Sequence, residues 1–274
     1  MRKFALNPHR RKFVPGLFLL VVLLVLNACS SDNSNAPSTS VNPFAPTDGS
    51  FNHNLGPGAS AHDFLASDTY TQLVVEIQYM DGYKPTPDAV SQLKTFLGNR
   101  LNKPSGISFI YTQIAPGGKS TYTLDDIAKM EENNRTEFTD GRKLAAYFLF
   151  LDGGYTDDTD KSKVLGVTYR NTSVAIFEKT IQSLTDQPTE PQRYVLEATV
   201  YEHEFGHVLG LVNNGSPMQT DHEDASHPHH CDNSNCLMNW QVESGGVVGN
   251  LFGTNPIPTL DQNCLDDLKA NGGK

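Results

Sequence analysis

Apolar positions are spread unevenly along the chain. Residues 13–26 are almost wholly apolar, broken only by Pro15 and Gly16. Residues 30–66 have no apolar period and are dominated by Ser, Asn, Pro and Gly. From about Tyr70 the pattern becomes that of a folded domain. Residues 73–79 are β-rich and half alternating, which predicts a strand. Thr86-Pro87 opens a helix, with Thr86 as N-cap and Pro87 as first helical residue. Val90, Leu93, Phe96, Leu97 and Leu101 then follow helical spacing. A second strand is expected at 107–111. Another helix is expected from Thr123, with Asp125 and Asp126 in its first turn, where the helix dipole favours acids. Residues 143–151 form a continuous apolar run, the mark of a central strand. Residues 165–169 and 173–177 flank Arg170-Asn171-Thr172 and predict a hairpin. A long helix is expected over 192–212. After Val212 the period stops until a short closing helix at 260–268. The order of elements predicts a mixed α/β (α+β) domain, a twisted mixed sheet with helices on its faces.

Three regions follow from this pattern: 1–28, 29–66 and 67–274. The last divides into an N-terminal part, 67–212, and a small irregular C-terminal part, 213–274. Residues 1–12 carry Arg2, Lys3, Arg10, Arg11 and Lys12 and no acid, ahead of the apolar run. A positive start followed by a short apolar stretch is the order of a signal peptide. The uninterrupted stretch 17–26 reaches about 15 Å as a helix, half of a bilayer core of roughly 30 Å. Its end, Leu26-Asn27-Ala28-Cys29-Ser30, resembles the bacterial lipobox. That resemblance implies cleavage before Cys29, lipid on Cys29, and a place in the bacterial cell envelope. By analogy with other lipoproteins, Ser30 favours the outer membrane. Residues 29–66 then read as a flexible tether.

The 274 residues carry 21 basic and 31 acidic side chains, a net charge of −10. Loss of residues 1–28 removes five basic groups and no acid, leaving −15 (16 basic against 31 acidic). So acidic a chain holds to a membrane by lipid rather than by attraction to anionic headgroups, and it is no nucleic-acid binder.

Six of the nine His fall between His203 and His230. His203-Glu204-Phe205-Gly206-His207 lies in the expected long helix. Residues i and i+4 share a helix face, so His203 and His207 can hold one Zn²⁺. Glu204, about 100° round the helix, can act as general base on water beside that ion. A catalytic zinc site commonly uses a third protein ligand.

The string HEFGHVLGLVN, from His203 to Asn213, resembles the metzincin signature H-E-x-x-H-x-x-G-x-x-H. There the glycine, here Gly210, turns the chain so that a third His reaches the metal. Asn213 stands at the third position, and Asn is a poor zinc ligand, so that role is not carried to it. Downstream, His230-Cys231-Asp232-Asn233-Ser234-Asn235-Cys236-Leu237-Met238 resembles the H-C-x4-C-x-M segment of archaemetzincins. This implies His230 as third ligand and Met238 as the Met-turn beneath the metal. His222, His227 and His229 remain alternatives for the third ligand. Archaemetzincins also carry a later C-x2-C for a second zinc. Only Cys264 follows Cys236 here, so a four-Cys site is not available. A disulfide between Cys231 and Cys236, or between one of them and Cys264, stays open. A thermolysin-like site would need a Glu ligand on a second helix, and neither Glu223 nor Glu243 lies in helical pattern.

The resemblance implies a metzincin-like zincin fold and a zinc-dependent endopeptidase with one catalytic Zn²⁺, acting on protein or peptide. Metzincins bind peptide as an added strand along a sheet edge, and the 165–177 hairpin is the candidate edge. Trp240 and Val242 are candidate pocket walls. The other reading is a non-catalytic, His-rich metal-binding or adhesive surface lipoprotein. Glu204 separates the two, because a metal store needs no carboxylate beside its first His.

Overall fold

The computed structural model describes residues 42, 44, 46, 49–188, 190–246, 251 and 257–274. The expected signal segment 1–28 and the expected lipidation site Cys29 lie outside these residues. Among those described, no helix is long and apolar enough to cross a membrane.

The elements run α1 (Ala61–Leu65), β1 (Gln72–Met80), α2 (Pro87–Arg100), β2 (Ile107–Ile114), β3 (Thr121–Tyr122), α3 (Leu124–Asn134), β4 (Lys143–Phe150), β5 (Gly154–Tyr155), β6 (Gly166–Arg170), β7 (Ser173–Ile176), α4 (Glu178–Ser183), α5 (Arg193–Val208) and α6 (Gln262–Ala270). Five strands form one mixed sheet in the order β2-β1-β4-β7-β6. The first four are mutually parallel; β6 runs antiparallel to β7 and forms an edge. This is the expected mixed α/β architecture.

Local chemistry explains these starts and stops. The Thr86 hydroxyl accepts from the Ala89 N–H at the head of α2, with Pro87 at the first helical position. Thr123 and Asp126 cap α3 reciprocally. β4 is buried on both faces from Leu144 onward, which is why it reads as an unbroken apolar run. One face of the sheet (Leu73, Val75, Ile77, Ala146, Phe148, Phe150) packs with α2 and α5 into the main core. The opposite face (Tyr147, Leu149, Ala175) packs with Ile127 of α3 and with Tyr122. Glu197 of α5 accepts from the Thr86 backbone N–H at 3.1 Å, tying the two core helices together.

Two expectations change. The polar tether to residue 66 is shorter, because Phe44 already packs edge-on against Phe138 at 5.4 Å and the chain lies on the domain from Phe51 onward. Phe64 and Leu65 are fully buried, and Phe64 meets Phe205 of α5 edge-on at 5.5 Å. The Lys103 ammonium clips this segment down by donating to the carbonyls of Asp63, Ala66 and Tyr70. Its apolar residues are too widely spaced to show a period, so composition concealed them. The long helix also stops at Val208 rather than 212. Gly210 adopts φ +70°, and a Cβ there would lie 2.5 Å from the Ser216 nitrogen, so the chain turns where only glycine fits.

Candidate metal centre

His203, Glu204 and His207 lie on the last turns of α5, buried against β6 and β7. The Gly210 turn then releases a long irregular segment that returns to place His230 beside them. The three imidazole centroids are 4.9, 5.4 and 5.1 Å apart. His203 Nδ1 lies 2.7 Å from the Leu237 carbonyl, and His230 Nδ1 lies 3.1 Å from the Pro228 carbonyl. A carbonyl only accepts, so each Nδ1 carries the proton and each Nε2 presents a lone pair. His207 Nε2 sits 3.2 Å from His203 Nε2, and His230 Nε2 makes no hydrogen bond although buried. Ring nitrogens gathered at such distances can act together as ligands, and the donor set fits a zinc-type ion. His203, His207, His230 and Glu243 each offer a donor atom, all within 4.8 Å of one another.

Glu243 is the member that sequence reasoning set aside. Its Oε1 lies 3.1 Å from His207 Nε2 and 3.6 Å from His203 Nε2; its Oε2 lies 3.4 Å from His230 Nε2. The residue belongs to no helix, so no periodic signal marked it. Burial opposes its charge, yet the three imidazoles around it hold its carboxyl well below the usual range. Burial likewise lowers His207 to about 4. His230 is also penalised by burial, but Glu243 outweighs that and raises it.

Glu204 is fully buried. Its Oε2 lies 2.9 Å from the Thr168 hydroxyl of β6, which also lies 2.7 Å from the Glu204 carbonyl. Its Oε1 has no partner. Burial first, and the Glu243 charge second, push its carboxyl well above the usual range. A bound cation reverses that balance in favour of the carboxylate. Thr168 is a second site residue that the sequence did not reveal.

Met238 is fully buried under α5. A Cβ on Gly206 would lie 2.3 Å from the Met238 sulfur, so the glycine inside the HExxH string is what admits the methionine. Above the imidazoles is a cleft of about 300 Å³. Val167 and Thr168 of the edge strand line one part of it, Pro228 and His229 another; His207, His230 and Glu243 also line it.

The remaining histidines go elsewhere. His227 bonds to Asp224 and stacks on Trp240 at 4.1 Å, so Trp240 is engaged there and does not line the cleft. Val242 is a core residue. His229 is half exposed, 3.8 Å from Glu223. His222 belongs to a second cluster with Cys231, Asp261 and Cys264, their donor atoms also within 4.8 Å. Cys236 joins it, its sulfur 3.6 Å from that of Cys264. That separation is far beyond a disulfide bond, and Cys231, Cys236 and Cys264 are all free thiols. Hydrogen bonds from Cys231 and Cys264 draw Cys236 down to about 4, so it carries the thiolate. His222 Nδ1 faces Cys231 Sγ at 3.4 Å, while its Nε2 is held by Asp267 at 2.8 Å. A carboxylate behind an imidazole is the usual arrangement around a metal-bound His. His222 thus offers a nitrogen donor beside the three thiols.

No protein-family model matches the chain, and no curated protein does. Among solved structures, an archaemetzincin from Methanopyrus kandleri is similar to it with a TM-score of 0.49 at 14% identity. The overlap covers 73% of this chain and 96% of that one.

Proposed function

We propose that the protein is a zinc-dependent endopeptidase. The observation that carries this reading is the convergence of three imidazole Nε2 atoms beside a buried, unpartnered carboxylate oxygen at the edge of a sheet. His203, His207 and His230 hold the ion, which when bound supplies Lewis acidity to water and to a peptide carbonyl. Glu204 takes the proton from the attacking water and delivers it to the leaving amine. Thr168 fixes the Glu204 carboxylate from β6, and burial keeps bulk water from competing for it. β6 is an edge strand of the sheet and lines the cleft, so an extended peptide can add beside it as a further strand. Met238 shapes the floor under the imidazoles without touching substrate. The cluster of Cys231, Cys236, Cys264 and His222 holds a second, structural ion. Lipid on Cys29 anchors the enzyme in the bacterial envelope.

The deciding experiment is Glu204→Gln, with zinc content and cleavage of a quenched peptide library measured together. General acid–base catalysis contributes about 10²- to 10⁴-fold, so a loss of that size with zinc retained is expected. Wild type that binds zinc stoichiometrically yet cleaves nothing would make the chain a metal-binding surface protein instead. For the anchor, Cys29→Ala is expected to move the protein from the membrane to the soluble fraction.

A further inference from the structure

Glu243 has no task in that mechanism, yet it touches every metal-binding imidazole. Catalytic zinc centres leave one position for water, whereas centres with four protein ligands are closed. Three Nε2 atoms and one carboxylate make four. We propose that Glu243 is a fourth protein ligand of the ion held by His203, His207 and His230, which closes the resting centre. The inference rests on the reading that these three histidines bind a metal.

The placement of the carboxylate is fixed by its backbone. Val242 beside it is 2% exposed. The Val242 N–H donates to the Asn239 carbonyl at 3.1 Å, and the Glu243 carbonyl accepts from the Leu165 N–H at 2.9 Å. Leu165 is the residue before β6, so the turn that carries Glu243 is tied to the foot of the edge strand. The side chain itself is 33% exposed and faces the cleft. It can leave the imidazoles by changing rotamer while its backbone stays bonded, a small conformational cost compared with moving a loop. Opening is therefore a side-chain event, and its driver is any ligand entering the cleft that competes for the fourth position.

The test loads the full chain with Co²⁺ and follows the visible spectrum while acetohydroxamate is titrated in. The difference from His230→Ala isolates this centre from the thiol cluster. Retention of metal against a chelator is measured in parallel. Glu243→Ala and the near-isosteric Glu243→Gln are compared with wild type, so a folding failure of one leaves the other. Both are expected to bind hydroxamate at least about tenfold more tightly and to hold the metal at least about tenfold more weakly. Unchanged spectra and equal hydroxamate affinities in wild type and both variants would overturn the proposal while leaving the histidine centre intact. Cobalt uptake that His230→Ala does not reduce would sink both the histidine centre and the proposal.

Discussion

Single residues here act through contacts that a sequence pattern does not carry. Thr168 is the clearest case, because its hydroxyl meets both the Glu204 carboxylate and the Glu204 carbonyl. It is a positioning residue. Thr168→Val is expected to lower kcat about tenfold with zinc content unchanged, and Thr168→Ser to restore most of it. A rise in KM or a fall in metal content instead would assign Thr168 to binding. His53 makes a second residue-scale prediction. Its Nε2 accepts from the Thr139 N–H at 3.2 Å, so its Nδ1–H must donate to Thr172 Oγ1 at 3.0 Å. Both ring nitrogens are committed and the ring is neutral. Burial first, and then Arg135 and Arg170, lower its pKa from 6.5 to about 2. Below pH 6.5 the unfolded chain takes up a proton that the folded chain refuses, so stability falls as pH falls. Each pH unit below 6.5 is expected to remove about 1.4 kcal/mol, or about 2 kcal/mol at pH 5. Urea unfolding of His53→Gln at pH 7 and pH 5 should show a shallower loss than wild type by that amount; equal losses would contradict it.

At the scale of elements, the site depends on how closely α5 meets the Met238 turn. A Cβ at Gly206 would lie 2.3 Å from the Met238 sulfur and 3.5 Å from Leu211. Gly206→Ala must therefore push the methionine aside, although alanine is the better helix former. The overpacking is expected to cost about 1–3 kcal/mol in chemical denaturation and to weaken zinc retention. A stabilised variant would show that the turn yields freely. The elements that the sequence disclosed are those whose reasons are local. Thr86-Pro87 and Thr123-x-x-Asp126 announce their helices through caps, and residues 143–151 announce a central strand through continuous apolarity. His203, Glu204 and His207 were legible because helical spacing alone puts two of them on one face. The rest was hidden because it is non-local. Glu243, Thr168 and His222 each lie in loops or an edge strand and gain meaning only from partners tens of residues away. The 51–66 segment reads as a tether by composition, yet Phe64 and Leu65 are buried by contacts that no periodicity reports.

The whole molecule contrasts two parts. Residues up to 208 hold the five-stranded sheet and five of the six described helices; after 208, α6 is the sole helix among the described residues. That C-terminal part supplies His230, Met238 and Glu243, so the geometry of the histidine site rests on a segment with little regular hydrogen bonding to stiffen it. Its donors His222, Cys231, Cys236 and Cys264 come from three separated stretches, and Asp267 of α6 braces His222. An ion there cross-links the stretches in the folded state only, so its binding free energy becomes folding free energy. At a hundredfold excess over Kd that is about 2.7 kcal/mol, which corresponds to about 5–10 °C in Tm for a domain of this size. Three measurements on one preparation separate the two centres. Wild type should carry two zinc ions per chain. Cys264→Ser should carry one, with Tm lowered by about that much. His203→Ala should also carry one, but lose peptide cleavage with a smaller change in Tm, because two of its ligands, His203 and His207, lie on α5, which the main core already holds. A Cys264→Ser variant with two ions and an unchanged Tm would mean that the thiols lie together without a metal, and that packing alone holds the C-terminal part in place.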